Sequence, residues 1–527
     1  MCCKNCGASL GAGAKFCSQC GAPVNAGAET KKYCRNCHSE LEPGALFCPE
    51  CGYRAVEIEE GPFTIGMEIG GDRTCMAVYR GGMPEMIPVG RERMPVTPAL
   101  AFVETEDGVA GQWSYGWEAL RDDVGDKQDG HRFLPEVFHE YTVSGGSRTV
   151  IRIWALLRMG GSVMIGRLRY TAEEIAAAYL KRQLQAAQSY LGRKPAGVVL
   201  AVPWDWLEPQ KAALCRAAVR AGWKVRQIAC GISMLGYGAV SRNLQEGEEK
   251  EILLCYLGPN CIEAGIFEAG EGIIEKRASA GIQTVERMSD DERRLAQIEG
   301  LEMMVREVQR EYGNPDDFER ITEVWISGEI VDITGVKERL QMLTGKAPVW
   351  LSGKAGHSYI AEGAALKGCV FDGKKTAERL PLFLDALSSC YWVRVNGVET
   401  SCLLKKNTTF PNVCFEILEK CVKTRILEIE VLQGFQFSEK DRIPAAKYQF
   451  DTGLSAFGEG IDAEVGLGMD TRGVCQVNVC VRDGHGKALA EFKTEITAEG
   501  DEGIERHFPY AYRHLREAGN FSESAER

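Results

Sequence analysis

Residues 62–89 read PFTIGMEIGGDRTCMAVYRGGMPEMIPV, and this stretch is the most informative about the fold. The strand-like run FTIGMEIG is followed by a second run, TCMAVYR, by a Gly-Gly pair at residues 81 and 82, and by a third run, EMIPV. Apolar and β-branched runs on both sides of a Gly-Gly turn are typical of antiparallel hairpins. We therefore predict that a β-hairpin begins the main body of the protein.

Helical and strand-like segments alternate after this hairpin. Thr171, with Glu174 three residues later, forms a capping box, apolar residues then recur at helical spacing, and Gly192 ends the pattern. The buried-strand pattern GVVLAVP (197–203), a helix that begins near Pro209, and the strand EILLCYLG (251–258) follow. This alternation predicts an α/β domain over residues 62–376.

The pattern changes after Leu387. Residues 427–431 and 475–481 alternate apolar and polar side chains, and an Asp-Gly-His-Gly turn at 483–486 leads into another alternating run. Period-two alternation indicates strands with one buried face, so we predict an antiparallel β domain over 388–498. The remaining residues, 499–527, form a polar tail.

These segments resemble the seventy-kilodalton heat-shock chaperones (DnaK-like). Residues 65–89 are similar to the first phosphate-loop hairpin of that family. Residues 170–192 and 196–214 are similar to the helix and strand before its second phosphate loop, and LLCYLGPNCIEAGIF (253–267) is similar to that loop. PLFLDALS (381–388) resembles the interdomain linker, and KKNTTFP (405–411) and LEIEVLQG (427–434) resemble parts of the peptide-binding β-sandwich. The resemblance implies an actin-like nucleotide-binding domain followed by a β-sandwich that holds extended peptides.

The resemblance also implies nucleotide-binding positions, and several of them are substituted. The matching positions in this chain are Glu68, Gly70, Gly71, Gly258, Glu263 and Gly328. Asp72 places a second carboxylate where the family has a hydroxyl, Tyr256 replaces an aspartate, and Pro259 removes a backbone N–H from the second loop. The family's catalytic lysine falls near Tyr115. We therefore expect a site that does not hydrolyse ATP, with binding of ATP and Mg²⁺ left open.

The peptide channel of the family maps onto the second domain. The matching positions are Asn396, Leu403, Cys421, Ile426 and Leu427. Leu427 would occupy the central pocket, where a peptide binds through strand-like hydrogen bonds and one apolar side chain. The alternative is that these residues are plain core of a sandwich.

Eight cysteines near the start have the spacing of zinc ligands. Two residues separate the members of each pair and ten residues separate the pairs within each unit; the ligands are Cys3, Cys6, Cys17, Cys20, Cys34, Cys37, Cys48 and Cys51. The two units match each other, so we predict two zinc ribbons at 1–24 and 31–54, each holding one structural zinc ion with four thiolates. Redox pairs need a strand–helix setting that pieces of about 20 residues cannot supply. Cys2 is left over.

Composition excludes several classes of partner. The net charge is −12, and residues 1–60 carry six Lys/Arg against seven Asp/Glu, so nucleic acid and anionic lipid are not expected partners. No apolar run is long enough to span a membrane or to form a signal core, which favours a cytoplasmic protein. The twelve cysteines outside the ribbons are expected to be small buried residues.

We predict a multidomain protein with two small zinc ribbons, an actin-like α/β nucleotide-binding-type domain, a linker at 377–387 and a C-terminal antiparallel β-sandwich. As a function we predict a chaperone-like adaptor or scaffold that binds polypeptide clients, with ribbons that contact a protein partner. Two alternatives stay open: an ATP-dependent chaperone that uses substituted residues, and a purely structural module.

Overall fold

The computed structural model describes residues 32–33, 40–41, 62–89, 94–124, 138–143, 146–245, 247–258, 261–283, 290–313, 319–351, 358–373, 377, 380–435, 442–455, 460–483 and 485–496. The chain divides into two compact units, Met1–Gly61 and Pro62–Arg527. In the first unit, β1 (Lys32–Tyr33) pairs antiparallel with β2 (Glu40–Leu41). Cys34 and Cys37 lie between these two strands in the chain.

The second unit begins with a region that we call the first lobe, residues 62–230. Its elements are β3 (Thr64–Gly70), β4 (Arg73–Arg80), β5 (Met83–Met86), β6 (Val96–Pro98), β7 (Leu100–Glu106), β8 (Val109–Tyr115), α1 (Trp117–Val124), β9 (Phe138–Val143), β10 (Gly146–Arg152), α2 (Ile153–Met159), β11 (Ser162–Ile165), β12 (Leu168–Thr171), α3 (Ala172–Leu191), β13 (Gly197–Val202), α4 (Glu208–Arg220) and β14 (Val225–Cys230). The main sheet runs β14-β13-β3-β4-β5, with β6 also paired to β4. The hairpin predicted around Gly81 is confirmed as β4 and β5.

Helix α3 begins and ends where its sequence predicts. Thr171 accepts a hydrogen bond from the backbone N–H of Glu174, and the Glu174 carboxylate accepts from the backbone N–H of Thr171. Gly192 adopts φ +68°, the left-handed conformation that ends a helix at low cost for glycine. Residues of α3 at helical spacing are buried against α4 and the sheet, so the apolar stripe decides which face points inward.

The second lobe, residues 231–384, is built around another mixed sheet. Its elements are α5 (Gly231–Asn243), β15 (Lys250–Leu257), β16 (Cys261–Gly270), β17 (Ile273–Gln283), α6 (Asp290–Tyr312), β18 (Glu323–Gly328), α7 (Ile333–Thr344), β19 (Val349–Trp350), α8 (Tyr359–Phe371) and β20 (Leu382–Leu384). The strand order is β19-β18-β15-β16-β17-β20. Segment β20 belongs to the predicted linker, and it pairs in parallel with β17.

Helices α5 and α8 cross at very close range between the two sheets. A Cβ atom on Gly363 would lie 1.9 Å from the carbonyl oxygen of Met234, and one on Gly238 would lie 2.2 Å from that of Tyr359. Only glycine allows the two backbones to approach so closely. Helix α8 also packs on β3 and β4, so this crossing fixes the position of these two strands relative to the second lobe.

The last region consists of two four-stranded antiparallel sheets. Its strands are β21 (Cys390–Val395), β22 (Val398–Glu399), β23 (Asn412–Val422), β24 (Ile426–Gly434), β25 (Ile443–Asp451), β26 (Ile461–Met469), β27 (Cys475–Arg482) and β28 (Ala488–Ile496). The sheets run β22-β21-β24-β25 and β23-β26-β27-β28. Buried residues of both sheets form one apolar cluster, because alternate side chains of each strand point inward. The polar tail at 499–527 lies outside the described residues.

Candidate functional site

The first candidate site lies at the turn between β3 and β4. Glu68, near the end of β3, is only 2% exposed. Its Oε2 accepts a hydrogen bond of 2.5 Å from Oγ of Ser358, the residue that caps α8. Gly71 adopts φ +45°, which favours glycine. This turn brings the next residues of the chain back beside the Glu68 carboxylate.

Arg73 connects this turn to the second lobe. Its Nη2 lies 3.5 Å from Oε1 of Glu68 and donates a hydrogen bond of 3.2 Å to the hydroxyl of Tyr256, while Nη1 pairs with the carboxylate of Glu329. Burial alone would lower the pKa of Arg73, but Tyr256, Glu68 and Glu329 together raise it well above its usual value. The guanidinium is therefore permanently charged, and it joins side chains from both lobes.

Tyr256 stands at the end of β15, at the start of the predicted second loop. Its hydroxyl lies 3.5 Å from Oε1 of Glu68. Burial raises the pKa of Tyr256 well above its usual value, so the group is a neutral phenol. Gly258 donates its N–H to the carbonyl of Cys261 at 2.8 Å. Pro259 and Asn260 lie outside the described residues.

Gly328 ends β18, where the resemblance implies contact with adenosine. Its φ is +114°, and a Cβ at this position would lie 2.1 Å from the carbonyl oxygen of Leu257. The next residue, Glu329, donates its N–H to the same carbonyl at 2.7 Å. The close approach of β18 to β15 therefore explains this glycine without a ligand.

The predicted nucleotide positions come together through these contacts. Glu68, Gly70 and Gly71 share one turn, and Arg73 links that turn to Tyr256 and Glu329, which are near Gly258 and Gly328 respectively. A Cβ on Gly70 would lie 3.1 Å from Oε1 of Glu68, so this carboxylate folds back over the turn. The cluster of Glu68, Arg73, Tyr256 and Glu329, which we call the Arg73 cluster, lies among the predicted positions.

Asp72 has a partner that the sequence did not reveal. Its Oδ1 lies 2.6 Å from Nε of Arg152, the last residue of β10, whose side chain is only 2% exposed. The ion pair connects the turn between β3 and β4 to the sheet that contains β10. Asp72 therefore holds a structural contact inside the first lobe.

Glu263 lies next to a second acid. It is only 2% exposed, and its Oε2 has no hydrogen-bond partner among the described residues. Burial, and then the nearby Asp205, raise the pKa of Glu263 to about 7. The thiol of Cys261 lies 3.5 Å from Oε1 of Glu263, and Arg158 lies 2.6 Å from Oδ2 of Asp205. Glu263 is therefore an acid whose charge is only partly offset by its surroundings.

The segment predicted to be the linker carries a buried ion pair. Asp385 follows β20, and its Oδ1 lies 2.8 Å from Nζ of Lys276 on β17. Lys276 is fully buried and also donates a hydrogen bond of 2.6 Å to Oγ of Ser233, which in turn donates one of 2.7 Å to Asp385. These three side chains satisfy one another and anchor the linker to the second lobe.

A second buried network joins the first lobe to the antiparallel region. Gln433, on β24, is fully buried; its Oε1 accepts the N–H of Glu208 at 2.8 Å, and its Nε2 donates to Ser389 and Tyr391 at 2.8 Å each. The hydroxyl of Tyr391 lies 3.1 Å from Oε1 of Glu208. Near this network, the rings of Trp204 and Phe435 lie 4.7 Å apart. Hydrogen bonds of Gln433 and Tyr391 therefore connect the first lobe to the antiparallel region.

The predicted peptide-channel residues are mostly enclosed. Leu403, Cys421 and Leu427 belong to the buried apolar cluster of the antiparallel region, and Ile426 is half-buried. Asn396, at φ +48° in an Asn-Gly turn, donates from Nδ2 to the carbonyl of Cys421 at 3.3 Å and accepts at Oδ1 from the N–H of Glu428 at 2.8 Å. In this conformation, Asn396 is hydrogen-bonded to Cys421, and three of the other positions are buried or half-buried in the antiparallel region.

The predicted zinc ligands lie outside the described residues. Among the described residues, no group of three or more His, Cys, Asp or Glu side chains is arranged to hold a metal ion. Of the twelve cysteines beyond the ribbons, eight are buried, as expected from composition, whereas Cys230, Cys261, Cys402 and Cys414 are only half-buried.

Two family models match the chain. The model for Hsp70 protein matches residues 64–286 and 312–518, and the model for double zinc ribbon matches residues 3–52. The chain belongs to the Hsp70 family. The resemblance predicted from the hairpin and loop motifs is thus confirmed, together with the N-terminal zinc ribbon domain.

Membership of the Hsp70 family implies an actin-like nucleotide-binding fold and an association with protein clients. The family also suggests ATP and Mg²⁺ as ligands, and the double zinc ribbon suggests zinc. In the part of the chain that the structure describes, no helix is both long enough and apolar enough to cross a membrane.

Sequence reasoning missed Arg73, Arg152 and Lys276. Lys276 had a detectable signal, because it shares one face of β17 with the buried residue Ile274. A lysine at an inward position of an apolar strand requires an acidic partner. Arg73 and Arg152 had no comparable signal: Tyr256 and Glu329 are distant from Arg73 in the chain, and Asp72 is 80 residues from Arg152.

Proposed function

We propose that this Hsp70-family protein is a polypeptide-binding adaptor or scaffold whose nucleotide site does not turn over ATP. The observation that carries the proposal is the Arg73 cluster. Hydrolysis by this fold relies on backbone N–H donors, carboxylates that organise Mg²⁺ and water, and a lysine that offsets developing charge. Here one arginine engages Glu68 and Glu329, and a neutral phenol, Tyr256, stands where the family has an aspartate.

The expected loss of ATP hydrolysis can be estimated from the number of preorganised charged groups that are replaced. Removal of a single such donor typically lowers the rate of an enzyme by about 10² to 10³. The family's lysine and aspartate positions carry Tyr115 and Tyr256 in this chain, so two groups are replaced together. Family membership suggests ATP and Mg²⁺, whereas these side chains do not fit a triphosphate with its metal ion.

We expect no phosphate release from Mg-ATP above the preparation background. The measurement is a malachite-green or coupled-enzyme assay on the full chain, with Glu68→Ala as the matched variant. Background release from contaminants is the same in both proteins. Release by the native chain that is clearly larger, and that falls in Glu68→Ala, would show turnover at this site and overturn the proposal.

The antiparallel region supports the adaptor role. We infer that its two sheets form a β-sandwich, because they share one apolar core. The residues Val413, Phe415 and Ile417 of β23 are 56%, 58% and 61% exposed and alternate along the strand. β23 has a described neighbour in its sheet on one side only. The Phe415 ring packs over Gly466 of the neighbouring strand, and Val413, Phe415 and Ile417 together form an apolar stripe on this edge strand.

An extended client segment with alternating apolar residues is the partner that suits this stripe. Strand addition supplies backbone hydrogen bonds at an edge, and alternate side chains of the segment would pack on the three apolar residues. The enclosed positions Asn396, Leu403, Cys421, Ile426 and Leu427 would bind peptide only if the hydrogen bonds of Asn396 opened. We therefore propose β23 as the first contact surface for clients.

Phe415→Glu should weaken the binding of a fluorescein-labelled apolar heptapeptide at least tenfold in an anisotropy titration. The new carboxylate would have to be desolvated beneath the peptide. Glu495→Gln, on the solvent side of β28 at the far edge of the same sheet, is the matched control and should bind as the native chain does. Unchanged affinity in Phe415→Glu would remove β23 from the proposal. No binding by the native chain at millimolar peptide would favour the purely structural module.

One observation favours a second candidate, an ATP-dependent chaperone with a substituted site. Glu263 has a buried Oε2 without a partner among the described residues, and Glu68 retains an acidic group at its family position. Such oxygens suit an ion or its bound water. The Arg73 cluster nevertheless supports the first proposal more directly, because it engages Glu68 with a cation of the chain itself.

For the N-terminal unit, we propose that the eight predicted cysteines hold two zinc ions and that the ribbons bind a protein partner. Thiolates are suitable zinc ligands, and four per ion leave no open coordination position for catalysis. We propose the cytoplasm as the location, since thiolate ligands persist in a reducing compartment.

A further inference from the structure

Two free thiols lie side by side in the antiparallel region. Cys390 begins β21, and Cys402 follows β22 in the chain. Backbone hydrogen bonds align the two segments: the N–H of Tyr391 donates to the carbonyl of Leu404 at 2.8 Å, and the N–H of Leu403 donates to the carbonyl of Tyr391 at 3.1 Å. Both cysteines pack in the same small apolar cluster. The fold therefore brings two cysteines that are distant from the ribbons into direct contact.

The surroundings of Cys390 favour its ionised form. Its Sγ accepts a hydrogen bond of 3.2 Å from the backbone N–H of Lys406, and it is also hydrogen-bonded to the thiol of Cys402. The hydrogen bond from Cys402, followed by the N–H and the positive charge of Lys406, holds the pKa of Cys390 below its usual value, although burial and the nearby Glu311 oppose this shift. The thiolate is the form of cysteine that reacts with oxidants.

Cys402 connects this pair to solvent. Its side chain is half-buried, whereas Cys390 is only 2% exposed. The hydrogen bond with Cys390, burial and the charge of Cys390 raise the pKa of Cys402, so the pair gives up one proton readily and keeps the other. Because the remaining proton is shared along the hydrogen bond between the two sulfurs, the negative charge also reaches the half-buried sulfur of Cys402.

We propose that Cys390 and Cys402 form a redox-modification site, which hydrogen peroxide converts into a reversible disulfide. The Cys402 thiolate attacks one peroxide oxygen, the O–O bond breaks, and the hydroxide that leaves takes the proton of Cys390. The Cys390 thiolate then attacks the sulfur of the Cys402 sulfenic acid, and the S–O bond breaks to release a second hydroxide. This hydroxide takes up the proton lost in the first ionisation, so two thiols and one peroxide give one disulfide and two waters.

Trypsin separates the two cysteines, which makes the product specific. Cys390 lies in the tryptic peptide 380–394, Cys402 lies in 395–405, and neither peptide contains another cysteine. The full chain is treated with a small excess of hydrogen peroxide, the remaining thiols are blocked with N-ethylmaleimide, and the digest is analysed by mass spectrometry. The two peptides should appear joined by a disulfide, and dithiothreitol should restore both thiols.

Cys414 is the internal control for reactivity. It is half-buried, as Cys402 is, and its tryptic peptide, 407–420, contains no other cysteine. The linked pair should form at least about fivefold faster than the Cys414 thiol is lost, since an ordinary thiol is mostly protonated at neutral pH. Equal rates, or a sulfinic acid at Cys402 without the linked peptides, would overturn the proposal.

Cys390→Ala tests whether the two sulfurs share the thiolate. It should slow the oxidation of Cys402 at least about fivefold, because Cys402 then has to ionise alone. Cys480→Ala replaces a buried cysteine on β27 and is the matched control, which should leave the rate unchanged. An unchanged rate in Cys390→Ala would show that Cys402 reacts by exposure alone and would overturn the proposal. Thermal unfolding followed by circular dichroism identifies a variant that fails to fold, in which case the comparison with Cys414 in the native chain decides.

Discussion

Lys276→Met should lower the free energy of unfolding by about 3 to 5 kcal/mol. The native lysine is fully buried, 2.8 Å from Asp385 and 2.6 Å from Ser233. Methionine has similar length but no charge, so the variant leaves the Asp385 carboxylate buried without its counter-ion. Urea denaturation followed by circular dichroism, analysed for the second unit, measures the loss.

Two further variants test whether the loss comes from the unpaired buried charge of Asp385. Arg277→Met removes the neighbouring, exposed cation of the same strand, and it should cost less than about 1 kcal/mol because an exposed ion pair contributes little. The double variant Lys276→Met with Asp385→Leu removes both buried charges and should regain most of the loss. A loss below 1 kcal/mol in Lys276→Met would contradict the account of how the linker is anchored.

Removal of zinc should unfold the N-terminal ribbons completely. Apparent binding free energies of structural zinc in small modules are about 10 to 16 kcal/mol, and pieces this short bury too little apolar surface to fold alone. Inductively coupled plasma mass spectrometry of the native chain should give two zinc ions per chain, and excess chelator should release both.

Single cysteine variants test the assignment of ligands. Cys20→Ser should reduce the zinc content from two ions to one, since it removes a ligand from the first ribbon only. Cys2→Ser changes the leftover cysteine next to a predicted ligand and should retain both ions, which makes it the matched control. A loss of zinc in Cys2→Ser, or full zinc content in Cys20→Ser, would contradict the predicted ligand set.

Local features of the fold could be predicted from sequence, because they are determined by nearby residues. The first turn of α3 is specified by the capping box of Thr171 and Glu174, and its end is specified by Gly192. In each case the residues that carry the signal lie at the helix end that they determine. The hairpin at Gly81-Gly82 likewise follows from the turn and the two runs beside it. Such signals predict where helices and strands begin and end. They do not predict which distant residues these elements contact in the folded protein.

The Arg73 cluster shows why the site could be predicted only in part. The resemblance indicated Glu68, Gly258 and Gly328 as positions, but Tyr256 and Glu329 are 183 and 256 residues away from Arg73 in the chain. No periodicity or spacing connects residues that distant. The substitutions at the family's charged positions could be noted from sequence, but the arginine that joins them could be found only from the folded chain.

The buried contacts between the lobes and the antiparallel region also join residues that are distant in the chain, so they could not be predicted from sequence. Gln433 makes direct hydrogen bonds with Glu208, Ser389 and Tyr391. No sequence pattern indicated that any of these residues lies between two regions. The linker resemblance of PLFLDALS stays a prediction, and the pairing of its strand β20 with β17 was not predicted from sequence.

Calorimetric titration of the full chain with Mg-ATP tests the central claim most directly. The Arg73 cluster predicts no saturable heat at up to millimolar Mg-ATP, and the same null result with Mg-ADP. Saturable binding with a dissociation constant in the micromolar range, lost when Glu68 is replaced by alanine, would contradict the account.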